Sequence, residues 1–187
     1  MNNKKNPLAK IYTDKGIITV ELYPEFAPNT VKSFIWAANQ KMYDNRLIKR
    51  IVPNFVLQPS YCYFDDKRCD FYLDGEFAAN GFDNPIKFEK GTVAMAGDGS
   101  KEAHGSEFFI TLSDEAGARL QGKYAAFGKV IDGFDEVKRL ENVETIRVFP
   151  DGMASAEVNQ PLNDEHILRV EIEFAENIEP PKTISHE

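Results

Sequence analysis

Apolar and polar residues alternate with a period of two in short runs along most of the chain, and follow a helical period in only two places. Residues 8–23, LAKIYTDKGIITVELY, are split by Asp14-Lys15-Gly16 into two strands, because glycine accepts the positive φ that a tight turn needs. After that turn Ile18, Val20 and Leu22 share one face and Thr19 and Glu21 the other, the mark of a half-buried antiparallel strand. Pro24 and Pro28 bracket a turn. Val31, Phe34, Ile35 and Ala38 then recur at i, i+3, i+4 and i+7 and predict a helix over residues 29–40. Residues 47–58 read as a strand interrupted at Pro53-Asn54, where proline removes a ladder donor and a bulge or an edge is expected.

Residues 59–90 are turn-rich and predict a long loop around the cluster FAANGFDNPIKF. Strands are predicted again over residues 91–96, 107–112 and 124–131. Asp132-Gly133 leads into FDEVKRLEN, a short helix with Phe134 and Val137 turned inward, and residues 166–174 form the last strand. Many short strands, regular turns and two helices describe a mainly β fold, an antiparallel barrel or sandwich capped by helices. One domain over residues 8–175 is expected, with residues 1–7 and 176–187 as polar extensions, the second containing Pro180-Pro181 and expected to be mobile.

Composition narrows the function classes. The 187 residues carry 22 Lys and Arg against 30 Asp and Glu, a net charge of -8, which argues against a general nucleic-acid surface. No apolar run follows the first lysines, so neither a signal peptide nor a membrane anchor is expected, and a cytoplasmic protein is. Cys62 and Cys69, separated by six residues, have no zinc spacing and read as free thiols. His104, His166 and His186 are scattered, so no metal is expected. The run GDGS at residues 97–100 lacks the lysine of a phosphate loop, no serine sits in a Gly-x-Ser-x-Gly context, and Asp65-Asp66 reads as solvated. No cofactor is expected.

Parity along the strands singles out one face. Arg50, Val56 and Gln58 share it if the register survives Pro53-Asn54, and the irregularity would bring Phe55 to the same side. In SEFFITL, Phe108, Ile110 and Leu112 point one way and Glu107 and Phe109 the other. Two readings stay open. Phe55, Val56 and Phe109, rimmed by Arg50, Gln58 and Glu107, form a shallow patch suited to a ligand with one apolar ring. Alternatively, Arg50 is a surface ion-pair partner of Glu107 and Phe109 is ordinary packing.

The segments RIVPNFVLQ, GTVAMA, GSEFFITL and AAFGKVIDGFDEV resemble, in order and separation, the signature segments of cyclophilin-type peptidyl-prolyl cis-trans isomerases. From Arg50 to Gln58 the chain matches the family pattern Phe-x-Arg-hydrophobic-hydrophobic-Pro-x-Phe-x-x-Gln, with Ile48 in place of the leading Phe. The resemblance implies a closed eight-stranded antiparallel barrel capped by two helices, with its site on an outer face. It also implies an enzyme acting on proline-containing peptides and on unfolded or folding proteins, a monomer, without cofactor, nucleic acid or membrane. By resemblance, Arg50 is the catalytic arginine and Gln58 holds it and the substrate. Phe55, Val56 and Phe109 wall the proline pocket, Leu120 is its floor, and Tyr124 stands where many relatives have His. Ala96 and Gly97 resemble the edge that pairs with the peptide backbone. Glu107 replaces the usual Gln, Gly97 stands where Asn is frequent, and the loop over residues 97–104 is one residue longer. Arg119 takes the place of a tryptophan associated with tight cyclosporin binding, so weak cyclosporin affinity is expected. The run EFAANGFDNPI at residues 76–86 resembles bacterial cytoplasmic members.

Overall fold

The computed structural model describes residues 5–59, 65–148, 158–175 and 178–185. The chain runs β1 (Leu8–Thr13), β2 (Ile17–Leu22), α1 (Pro28–Asn39), β3 (Arg46–Leu47), β4 (Arg50–Val52), β5 (Val56–Gln58) and β6 (Tyr72–Asp74). It continues through β7 (Thr92–Met95), β8 (Glu102–His104), β9 (Phe108–Thr111), α2 (Asp114–Leu120), β10 (Ala126–Asp132) and α3 (Phe134–Glu141), ending with β11 (Thr145–Val148), β12 (Val158–Pro161) and β13 (His166–Glu173). Nine strands form one antiparallel sheet in the order β3-β13-β1-β2-β10-β7-β9-β5-β4. Its two end strands are separated in sequence only by Ile48 and Lys49, whose reach is at most about 10 Å. The sheet therefore curls, and the chain bridges its two end strands, which no ladder joins among the described residues.

The expected class, mainly β with a barrel-like antiparallel sheet, is what the chain adopts; the counts differ for identifiable reasons. Residues 50–58 do not form one bulged strand. Asn54 takes φ 62, the left-handed conformation that asparagine tolerates, and the chain reverses into a hairpin. Arg50 pairs with Gln58 and Val52 with Val56. Two further pairs, β6 with β8 and β11 with β12, lie outside the main sheet, and the first occupies residues expected to be loop. A third helix, α2, was missed. Its signal is local: Ser113 accepts from Ala116 N at 3.0 Å as N-cap, and Asp114 and Glu115 fill the first turn.

The lumen is filled from α1 and the inward strand positions. Phe34 touches Tyr43, Phe108 and Phe127 with ring centroids 5.4, 5.3 and 5.1 Å away. Pro28 opens α1, and Glu76 caps it, accepting from Thr30 N and Thr30 Oγ1, both at 2.6 Å. In α3, Val137 and Leu140 are buried but Phe134 is outside, 44% exposed, because the helix turns on Gly133 against Ile17. Asp66 is not a solvated acid: Arg68 and Arg46 reach its Oδ2 at 2.6 and 2.7 Å. The hydrogen bond from Arg68, with added field from Arg46, pulls its pKa down to about 2. Cys69 is buried, and Cys62 and His186 fall outside the described residues.

The segment after β13 was expected to be mobile, yet residues 178–185 lie against the domain. Phe174 turns the chain at φ 60, Ile178 packs on the core, and Pro181 is buried. Lys182 exchanges two hydrogen bonds with the side chain of Asn29, and Ile184 N donates to Tyr72 O at 2.9 Å.

Candidate active site

Side chains of one strand alternate between the two faces of the rolled sheet, and here they fall into two separate apolar clusters. Ile51, Leu57, Val93, Met95, Phe108, Ile110 and Phe127 belong to the lumen. Val56, Ala94, Ala96, Phe109 and Ala126, from the same strands, form a second cluster outside with Ile86, Phe88 and Leu120. Phe55, Tyr124, Tyr23 and Phe26 pack on its border, partly exposed. Of the eight residues assigned to substrate binding from the sequence, Phe55, Val56, Ala96, Phe109, Leu120 and Tyr124 meet in this outer cluster. Gly97 follows Ala96 in the chain, and Glu107 O accepts from Ala96 N just before β9.

The β4–β5 hairpin sets the polar rim. Paired residues of a hairpin point to the same side, so Arg50 and Gln58 stand together although the expected bulge is absent. Arg50 Nη1 donates to Gln58 Oε1 at 3.0 Å. Gln58 is buried and Arg50 half-buried. Glu107 is also buried, at 1% exposure, one residue before β9.

Phe109 lies on the outward face, as its parity suggests, yet it is not exposed. It is 4% exposed, because Phe88 stacks on it at 6.5 Å and Tyr124 meets it edge-on at 5.5 Å. Neither Phe88 nor Ile86 was identified from sequence. Their segment is held down by Gln121, whose Oε1 accepts from Phe88 N at 2.8 Å and whose Nε2 donates to Ile86 O at 3.3 Å. Gly117 allows this approach: a Cβ there would stand 2.5 Å from Phe88 O. Ser113 Oγ also donates to Asn54 O at 2.6 Å, so α2, with Leu120, is tied to the hairpin carrying Arg50. Arg119 lies over the Phe55 ring at 5.2 Å.

At the other end of the site, Ala96 is engaged by its own chain. Its N–H donates to Glu107 O at 2.7 Å and its carbonyl accepts from His104 N at 2.8 Å. The loop thus folds back over Gly97, where an added Cβ would meet Glu102 O at 3.0 Å. His104 packs against Tyr72, ring centroids 4.6 Å apart, and burial holds its imidazole below the ordinary pKa. Among the described residues, no cluster of three or more His, Cys, Asp or Glu could hold a metal ion, and no helix is long and apolar enough to cross a membrane.

The fold and site define a class: a rolled antiparallel barrel with an apolar cluster on its outside, bordered by one arginine–glutamine pair. The chain belongs to the cyclophilin-type peptidyl-prolyl cis-trans isomerase family, whose model matches residues 8–172. It is 32% identical over 145 residues to a peptidyl-prolyl cis-trans isomerase of Acinetobacter baylyi, covering 75% of this chain and 74% of that one. It is 33% identical over 173 residues to peptidyl-prolyl cis-trans isomerase-like 2 of Gibberella zeae, covering 86% of this chain but only 25% of that protein's length. Among solved structures, a Cryptosporidium parvum cyclophilin-type isomerase, determined in the presence of the dipeptide Ala-Pro, superposes with a TM-score of 0.70 at 26% identity. That match covers 89% of this chain and 98% of the other.

Proposed function

We propose that this protein accelerates cis–trans rotation about X-Pro bonds in peptides and folding proteins, with Arg50 stabilising the twisted amide. The observation that carries the reading is the Arg50–Gln58 pair at the border of the outer apolar cluster. Uncatalysed rotation faces a barrier near 20 kcal/mol, although no bond has to be broken. Twisting removes amide resonance and makes the proline nitrogen pyramidal and basic. A donor aimed at that nitrogen therefore stabilises the transition state more than either ground state. A guanidinium suits this task because it stays charged and presents its donors in a fixed plane. Gln58 holds Arg50 through its carbonyl and offers its amide hydrogens to the peptide. Phe55, Val56, Phe109, Leu120 and Tyr124 grip the proline ring. With both polar groups of Ala96 already engaged, Gly97 is the residue at which the peptide backbone pairs.

We propose further that the enzyme is bacterial, cytoplasmic and monomeric; the similarity to the Acinetobacter baylyi isomerase supports the first, and the net charge of -8 favours polypeptide over nucleic-acid partners. Weak cyclosporin binding is part of the reading: by resemblance Arg119 takes the place of a tryptophan associated with tight binding, and its guanidinium lies over the Phe55 ring. A dissociation constant in the nanomolar range by calorimetry would refute that.

A second reading is favoured by Glu107, a buried acid beside the site: a proline-peptide-binding module with little turnover. Exchange spectroscopy on an X-Pro peptide separates the two. The enzyme exchanges the isomers and loses about 10²–10³ of its rate in Arg50→Ala, the scale of one removed transition-state donor. A module binds the peptide without accelerating exchange.

A further inference from the structure

The segment beyond β13 lies outside the family match, which ends at residue 172, and yet it is specifically seated. Phe174, a bulky residue, adopts φ 60, a conformation that costs such residues on the order of 1 kcal/mol or more. Beyond it, Pro181 is buried, and the next residue forms a reciprocal pair. Lys182 N donates to Asn29 Oδ1 at 2.9 Å and Lys182 O accepts from Asn29 Nδ2 at 2.9 Å. Two residues on, Ile184 N donates to Tyr72 O at 2.9 Å in an antiparallel bridge.

These contacts have the geometry of strand addition. In an extended segment the backbone groups of residues i and i+2 point to the same side. A carboxamide carries the same donor and acceptor as a peptide group. Asn29 and Tyr72 therefore act as one edge, read by residues 182 and 184 with a period of two. All three hydrogen bonds go to the tail's backbone, so they carry no demand on its side chains. The side-chain requirement is confined to the buried proline one position earlier.

The edge also borders the isomerase site. Tyr72 pairs with His104 across β6 and β8, and His104 N donates to Ala96 O. With strands about 4.8 Å apart, two such steps put the edge roughly 10 Å from residue 96, about three residues of extended chain.

We propose that Asn29 and Tyr72 form a second docking edge, for an extended segment of a polypeptide client that carries a proline where Pro181 lies, and that the chain's own tail is its resident competitor. This deepens the isomerase reading by giving a long client two attachment points. Its test reads binding and does not depend on turnover.

The probe is a fluorescein-labelled peptide with the sequence of residues 178–185, followed by anisotropy on the full chain. A tethered tail competes at an effective concentration of about a millimolar. The unsubstituted chain therefore binds the probe weakly. The double variant Lys182→Pro with Ile184→Pro, which deletes both tail donors, binds it at least about tenfold more tightly. Adding Asn29→Asp, which suits a helix start but removes the donor to the carbonyl, abolishes the gain. No binding to the released chain, or binding indifferent to Asn29→Asp, overturns the proposal. So does binding lost in Phe109→Ala instead, which assigns the peptide to the proline pocket. If Arg50→Ala leaves X-Pro exchange in a short peptide unaltered, the isomerase reading fails while the docking edge stands.

Discussion

Phe108 and Phe109 are neighbours in sequence, and both are buried, at 0% and 4% exposure. Their surroundings have nothing in common. Phe108 points into the lumen and meets Phe34 and Tyr43 edge-on at 5.3 and 5.5 Å. Phe109 points outward and is enclosed by Phe88 and Tyr124. The lumen is sealed by the sheet itself and by α1. The outer cluster is covered only by short pieces, α2 and residues 86–88, and is bordered by half-buried aromatics and by Arg50, Gln58 and Glu107. Degree of burial therefore does not distinguish the face that holds the fold together from the face proposed to handle a ligand. What distinguishes them is the polarity of the border.

That contrast can be broken by measurement. Phe127→Ala in the lumen costs about 3–5 kcal/mol in urea unfolding, the usual price of an aromatic deleted from a closed core. An equal cost for Phe109→Ala would erase the distinction. Arg50→Ala lowers the rate of X-Pro exchange by about 10²–10³, with a change in stability below about 1 kcal/mol because the side chain is half-buried. Phe109→Ala lies between, losing roughly tenfold or more in activity and fewer kcal/mol than its lumen neighbour. Thr111, fully buried on the outward side of β9, has a hydroxyl without a hydrogen-bond partner among the described residues. Thr111→Val raises stability by about 1 kcal/mol, and a loss of stability would show that the hydroxyl is satisfied in solution.

The smallest effect concerns pH. Folded Asp66 keeps its charge down to about pH 2, whereas the unfolded chain takes up the proton near the ordinary value of 3.8. Between these values the unfolded state binds more protons, so stability falls as pH is lowered through the window. Asp66→Asn flattens that part of the stability–pH curve, and an unchanged slope would remove Asp66 from the account.

The strands with strict alternation were legible in the sequence, and so was the face to which Phe109 and Val56 belong, because parity survives any detail of pairing. The β4–β5 hairpin was not. Pro53-Asn54 signals an irregularity equally well for a bulge and for a reversal, and only the partner strand decides between them. Arg50 and Gln58 ended on one side in either case. Helix α2 carried a readable start in Ser113-Asp114-Glu115, but its seven residues are too few for periodicity to register. Phe88 and Gln121 reach the site by hydrogen bonds across 33 residues, which no local pattern reports. The docked tail was misread because its polar composition suggested solvation, while its hold on the domain is made through its backbone.

The seam between β1 and β13 joins Leu8 to Glu173, nearly the whole span of the domain. The strands that carry the outer cluster, by contrast, all lie between Arg50 and Asp132. On a ribosome the chain therefore exposes the half that carries the proposed site well before β13 has been synthesised, and β1 must wait without its final neighbour. Pairs so distant in sequence form late. Pulse-labelled hydrogen exchange during refolding should find the amides bonded across the β1–β13 seam protected after those of β7 and β9.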